Sequence, residues 1–200
     1  PDQFAAEWTW DGVRVQAASE GGERHLYTRT SDDISHAFPD VLAGLIDGAV
    51  LDGELLVRSP GGGPAPFNDL QQRLNRKTVD RKLLDASPAF IRAYDLLSLD
   101  GQDLRPQPFA VRRARLEALL AERASPRIDL SPLVAFADLD ALAACRAAPP
   151  DTSIEGLMLK RWDSPYLAGR PKGPWFKWKR EPFRVDCVLM YAQRGHGKRS

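Results

Sequence analysis

The sequence predicts an α+β fold with mainly antiparallel sheet, and three observations carry that prediction. Short segments with strand signals are interspersed with segments carrying helix signals. The two kinds do not follow the regular strand–helix–strand order that a parallel sheet needs. The chain has 200 residues, 43% hydrophobic and 28% charged, which suits a packed core and excludes a disordered tail.

Strands are expected at 7–17, 49–57, 90–99, 154–161, 175–180 and 184–194. Each is short and bounded by Gly, Pro or Asp, and several alternate in polarity. Helices are expected at 39–46, 68–76, 110–123 and 139–147. In the third helix, Val111, Leu116, Leu119 and Leu120 form an apolar stripe, with Arg112, Arg113, Arg115, Glu117 and Glu122 on the remaining surface. Pro108 suits its start. The Pro/Gly-rich run from Ser59 to Pro66 continues neither helix nor strand and is expected to be a flexible loop.

Net charge is +1, unevenly placed. Residues 151–200 hold 11 Lys and Arg against 5 Asp and Glu, a balance of +6, and the first 150 residues carry −5. A basic C-terminal quarter suits phosphate or nucleic acid, and equally a solvated surface. Cys145 and Cys187 show no C-x-x-C spacing, so neither zinc nor a disulfide framework is indicated. No run approaches the roughly 18 apolar residues of a membrane span. No Walker pattern and no G-x-G-x-x-G is present.

Several strands carry charge where a core is expected. Side chains alternate faces along a strand, so Glu7, Thr9 and Asp11 share one face while Trp8 and Trp10 share the other. Asp52 and Glu54 share a face, as do Lys177 and Lys179. Glu155 stands near the start of a very apolar run. Any one segment reads most simply as a half-exposed strand. Together they fit a cleft with Glu54 and Glu155 near a divalent cation and Lys177 and Lys179 near a phosphate.

In order and content these segments resemble the nucleotidyltransferase motifs of ATP-dependent DNA ligases, especially bacterial ones. Thr9-Trp10-Asp11-Gly12-Val13-Arg14 is similar to K-x-D-G-x-R, and Thr28-Arg29-Thr30-Ser31 to the S-R-x-G motif. Asp52-Gly53-Glu54 and Tyr94-Asp95-Leu96 resemble the next two motifs. The stretch from Glu155 to Lys160 is similar to E-G-x-x-x-K, and Trp175-Phe176-Lys177-Trp178-Lys179 resembles the fifth motif. The resemblance implies two antiparallel sheets flanked by helices, forming an adenylation domain over 1–182 with the start of an OB-fold domain at 183–200. It implies that Glu7 reads the adenine amino group and that Tyr94 stacks on the ring. Arg14, Arg29 and Glu54 are implied to hold the ribose and nearby phosphate or a DNA end. Glu54 and Glu155 are implied as metal ligands, and Lys177 and Lys179 as holding the α-phosphate. ATP, Mg²⁺ (or Mn²⁺) and nicked duplex DNA are the implied cofactors and partner, for a monomer in a bacterial cytoplasm.

One departure from the family bears directly on the chemistry. The motif's nucleophilic lysine, which attacks the α-phosphorus of ATP, is Thr9 here. A threonine hydroxyl is a weak nucleophile without an adjacent base, and His25, His36 and His196 lie outside the motifs. Self-adenylation is therefore expected to be lost, with binding of ATP and sealing of pre-adenylated nicks retained. Ser31 replaces the family's Gly, which puts the turn geometry in question. The competing readings are an RNA ligase or GTP-using capping enzyme, a non-catalytic nucleotide- or DNA-binding module, and a plain structural domain.

Overall fold

The computed structural model describes residues 2–74, 76, 78–169, 171–181 and 186–193. The stretch expected as one strand over 7–17 is two. β1 (Phe4–Trp10) and β2 (Val13–Glu20) are separated at Asp11-Gly12, and they belong to different sheets. A side chain at Gly12 would stand 2.6 Å from the Leu55 carbonyl oxygen, so only glycine lets the chain cross this closely. The Asp11 amide donates to Ser153 O at 2.7 Å, tying the crossing point to the first sheet.

That first sheet has the order β1-β8-β9, with β8 at Ile154–Arg161 and β9 at Trp175–Lys179, both pairs antiparallel. The second has the order β3-β2-β4-β5-β6. Its members beyond β2 are β3 (Glu23–Thr28), β4 (Ala49–Val57), β5 (Ala89–Leu99) and β6 (Gln102–Asp103). A short β7 (Ile128–Leu130) pairs with β5 in parallel. The sheets are thus mainly antiparallel, as expected. β3 was not anticipated, although Gly21-Gly22 is a two-residue hairpin signal. Of the strand expected at 184–194, residues 186–193 are described and carry no regular element, while 184, 185 and 194 lie outside the described residues.

The helices are α1 (Pro39–Ala43), α2 (Phe67–Leu74), α3 (Arg81–Ala86), α4 (Phe109–Glu122) and α5 (Leu139–Ala147). α1 stops short of the expected 46, at Gly44. α3 was not anticipated; its Asp80 cap accepts from the Leu83 amide at 2.8 Å. The main core packs Phe38, Val41, Leu51, Leu55, Ile91 and Leu116 between the second sheet and its helices. A smaller cluster of Ala6, Leu142 and Leu157 lies under the first sheet.

α4 corrects the expected stripe. Val111 is 38% exposed, and the buried positions are Phe109, Arg112, Arg113, Leu116 and Leu119. Two arginines replace apolar contact because each finds a buried carboxylate. Arg112 makes a bidentate pair with Asp95, and Arg113 reaches Glu7.

Ser31 adopts φ +66°, the left-handed conformation that favours glycine. Its amide still closes the turn onto Thr28 O at 2.9 Å. Ser31→Gly is expected to stabilise the protein by up to about 1 kcal/mol, the left-handed strain less the added chain entropy. A lower melting temperature in that variant would show that the turn is unstrained.

Candidate active site

A cleft of about 2220 Å³ runs between the two sheets. Glu7, Thr9, Arg14, Arg29, Glu54, Tyr94, Glu155, Lys177 and Lys179 all line it. Every site residue expected from sequence therefore reaches one cavity, larger than the roughly 300–1,000 Å³ of an ordinary small-molecule pocket.

Strand register arranges the first sheet's contribution in rows. Thr9 stands opposite Gly156, and Gly156 opposite Lys179. Glu7, Met158 and Lys177 form the next row, and Ala5, Lys160 and Trp175 the third. Gly156 has φ +152°, and a side chain there would meet Trp178 O at 2.3 Å. The row from Thr9 to Lys179 is therefore bare at its middle.

Two site residues owe their positions to bulges. Thr9 pairs with Gly156 and Trp10 with Ile154, so Glu155 is the extra residue on β8. Asp52 pairs with Asp95 and Gly53 with Ala93, so Tyr94 is the extra residue on β5. A bulge re-aims its side chain, and both residues line the cleft.

At one end of the cleft Glu155 gathers both lysines. Lys177 Nζ donates to its Oε2 at 2.7 Å, and Lys179 Nζ lies 3.6 Å from Oε1. Burial works against the Glu155 charge, but Lys177 and then Lys179 outweigh it and hold the carboxyl below its usual range. Glu54 behaves oppositely. Burial pushes its carboxyl up to about 8; Lys177 opposes that shift and Asp52 adds to it. Burial, then Glu155, raises Asp11.

On the second sheet Arg14 is locked. It donates to Asp52 through Nε at 3.0 Å and Nη2 at 2.6 Å, and to the Tyr166 hydroxyl at 2.7 Å. Tyr166 donates in turn to Asp52 at 2.7 Å, and Tyr94 Oη lies 3.3 Å from the same carboxylate. Burial disfavours the Arg14 charge, but Asp52 more than compensates and lifts its pKa above the usual range. Asp52 and Tyr166 were not assigned roles from sequence. Asp52 shares the Glu54 face by alternation, which is a legible signal, whereas Tyr166 sits in a loop and has no pattern to announce it.

Deepest lies Glu7, 2.6 Å from Lys160 Nζ and 2.9 Å from Arg113 Nη1. Lys160 Nζ also sits over the rings of Tyr94, Phe109 and Trp175, at 4.7, 4.6 and 4.9 Å. One face of Tyr94 is thus covered by a cation. Arg29 is exposed at the cleft rim. The Thr9 hydroxyl is buried and meets no hydrogen-bond partner among the described residues.

A sequence model of the ATP dependent DNA ligase domain matches residues 1–179. The chain belongs to that family. This ligase domain is 37% identical to a DNA ligase of Haloferax volcanii over 201 residues, covering 98% of this chain and 34% of that protein. It is 34% identical to a probable DNA ligase of Streptomyces avermitilis, covering 98% of this chain and 38% of that one. It therefore spans about a third of the length of the curated relatives it matches. Among solved structures it resembles mycobacterial DNA ligase D complexed with ATP and MES, with TM-score 0.69 and 31% identity over 89% of this chain and 55% of that one. The expected fold, two mainly antiparallel sheets with helices, is that of this ligase domain. No helix among the described residues is long and apolar enough to cross a membrane.

Proposed function

We propose that this ligase domain holds ATP in the cleft between its sheets as the adenylation half of a DNA ligase that seals nicks in duplex DNA, and that Thr9 leaves it unable to charge itself with AMP. The convergence of Glu7, Tyr94, Glu155, Lys177 and Lys179 on one cleft supports the first part. The second rests on the hydroxyl of Thr9, which meets no hydrogen-bond partner among the described residues and so no base in position to take its proton there.

In this reading the base lies on the face of Tyr94 that Lys160 leaves open, with its amino group donating to Glu7. Arg14, fixed by Asp52 and Tyr166, meets the sugar or a phosphate without having to be reorganised. Arg29 at the rim meets the DNA end. Lys177 and Lys179 neutralise the α-phosphate, and Glu155 keeps both ammonium groups in place until the phosphate arrives.

The oxygen donors fit Mg²⁺ or Mn²⁺. No group of three or more His, Cys, Asp or Glu converges among the described residues. Glu54 and Glu155 both line the cleft, and Mg²⁺ commonly uses one or two carboxylates together with substrate phosphates. When bound there, the ion supplies charge neutralisation at the phosphate.

ATP is expected to raise the melting temperature of the chain as it stands. Lys177→Ala combined with Lys179→Ala is expected to remove most of that rise. A flat response to ATP in the parent chain would favour a plain structural domain, and a larger response to GTP would favour the capping-enzyme reading.

A further inference from the structure

Glu7 is gripped by two cations that come from different layers of the fold. Arg113 Nη1 on α4 donates to its Oε1 at 2.9 Å, and Lys160 Nζ on β8 lies 2.6 Å from Oε2. The three side chains are 5% exposed or less. Glu7 and Lys160 line the cleft and Arg113 does not, so any effect of Arg113 on a bound base passes through Glu7. Arg113 is itself steadied by Glu117, which accepts from its Nε at 2.7 Å.

We infer that Arg113 is a specificity-determining positioning residue: with Lys160 it keeps Glu7 an ionised, acceptor-only carboxylate, so that the cleft takes a purine bearing a 6-amino group and rejects one bearing a 6-oxo group. The inference rests on the reading that Glu7 meets the base. An ionised carboxylate only accepts hydrogen bonds. A 6-amino group donates to it, whereas a 6-oxo group sets acceptor against acceptor. A neutral carboxyl can donate, and so loses the distinction. Burial pushes Glu7 toward that neutral form and leaves its carboxyl above the usual range; Lys160 and then Arg113 act against the rise, Asp95 on β5 adds to it, and the two ion pairs are what hold the charged form. Lys160 divides its charge between Glu7 and three aromatic faces. Arg113 is the cation that can be removed without opening that cage.

The test compares ATP with ITP, which carries a 6-oxo group, by calorimetry on the parent chain and on Arg113→Gln, Arg113→Met and Arg113→Lys, with folding checked by circular dichroism. The parent is expected to prefer ATP. Arg113→Gln and Arg113→Met are expected to lower the ATP-to-ITP ratio about tenfold, the worth of one charge-assisted hydrogen bond. Arg113→Lys is expected to restore most of it. An unchanged ratio in the folded Gln or Met variant, with the parent still preferring ATP, overturns the inference alone. A parent that binds both nucleotides equally, or neither, overturns the assignment of Glu7 to the base and the inference with it. The parent also gives a measurement that needs no variant. Its preference is expected to persist from pH 8 down to pH 6, and a tenfold loss over that range overturns the inference.

Discussion

Incubated with ATP and Mg²⁺, a Thr9→Lys protein is expected to gain the mass of one AMP, and the parent chain none. The physical case is local. Position 9 lies on β1 in the row that runs through Gly156 to Lys179, and nothing at Gly156 stands between them. A lysine placed there projects into a cleft that two further lysines, Lys177 and Lys179, already line. The threonine hydroxyl has no hydrogen-bond partner and no histidine lining the same cleft among the described residues. Intact mass spectrometry on the two proteins side by side decides the matter. An adduct on the parent would mean that another side chain serves as nucleophile. Absence of an adduct from both would count against the adenylation reading, leaving either a binding module or a charging step that needs the part of the relatives this chain does not span.

The largest stability effect is expected at the pair between α4 and β5. Arg112 donates to Asp95 through Nε at 2.7 Å and Nη2 at 2.9 Å, and both side chains are fully buried. Arg112 Nη1 also donates to Ser164 O at 3.1 Å, so one guanidinium joins the helix, the second sheet and the loop after β8. Asp95→Leu strands a charge in the core. It is expected to cost about 3–5 kcal/mol, a fall in melting temperature of roughly 6–20 °C for a chain of this size. The double variant Asp95→Leu with Arg112→Leu removes both charges and is expected to be clearly more stable than the single one. Thermal melts of the two, beside a variant of the exposed Arg161–Asp163 pair, which is expected to melt almost as the parent does, give the ordering. Equal losses in the single and double variants would mean that packing, not charge, sets the cost.

Legibility in the sequence followed the physics of each element. β4, β8, β9 and α5 match the expected ranges closely because short apolar runs bounded by Gly, Pro or Asp leave little freedom in where they begin and end. The first strand was read through Asp11-Gly12 because polarity alternates on both sides of it, while the change of sheet leaves no mark on that alternation. α4 was misread for a similar reason. Helical periodicity ranks arginine as a surface residue, and it cannot know that Asp95 and Glu7 wait on the buried side. Tyr94 entered through motif resemblance and Glu155 as a charge near the start of an apolar run, and alternation alone would have placed neither, because each is the extra residue of a bulge.

By itself the sequence determined which residue types this ligase domain brings to its cleft and in what order along the chain, Thr9 among them. Only the tertiary structure decided which charge meets which. Glu7 finds Arg113 at a separation of 106 residues, and Arg14 finds Tyr166 at 152. Such partners are chosen by strand register, by bulges and by the packing of a helix onto a sheet. Those are properties of the closed fold, and no local pattern of side chains encodes them.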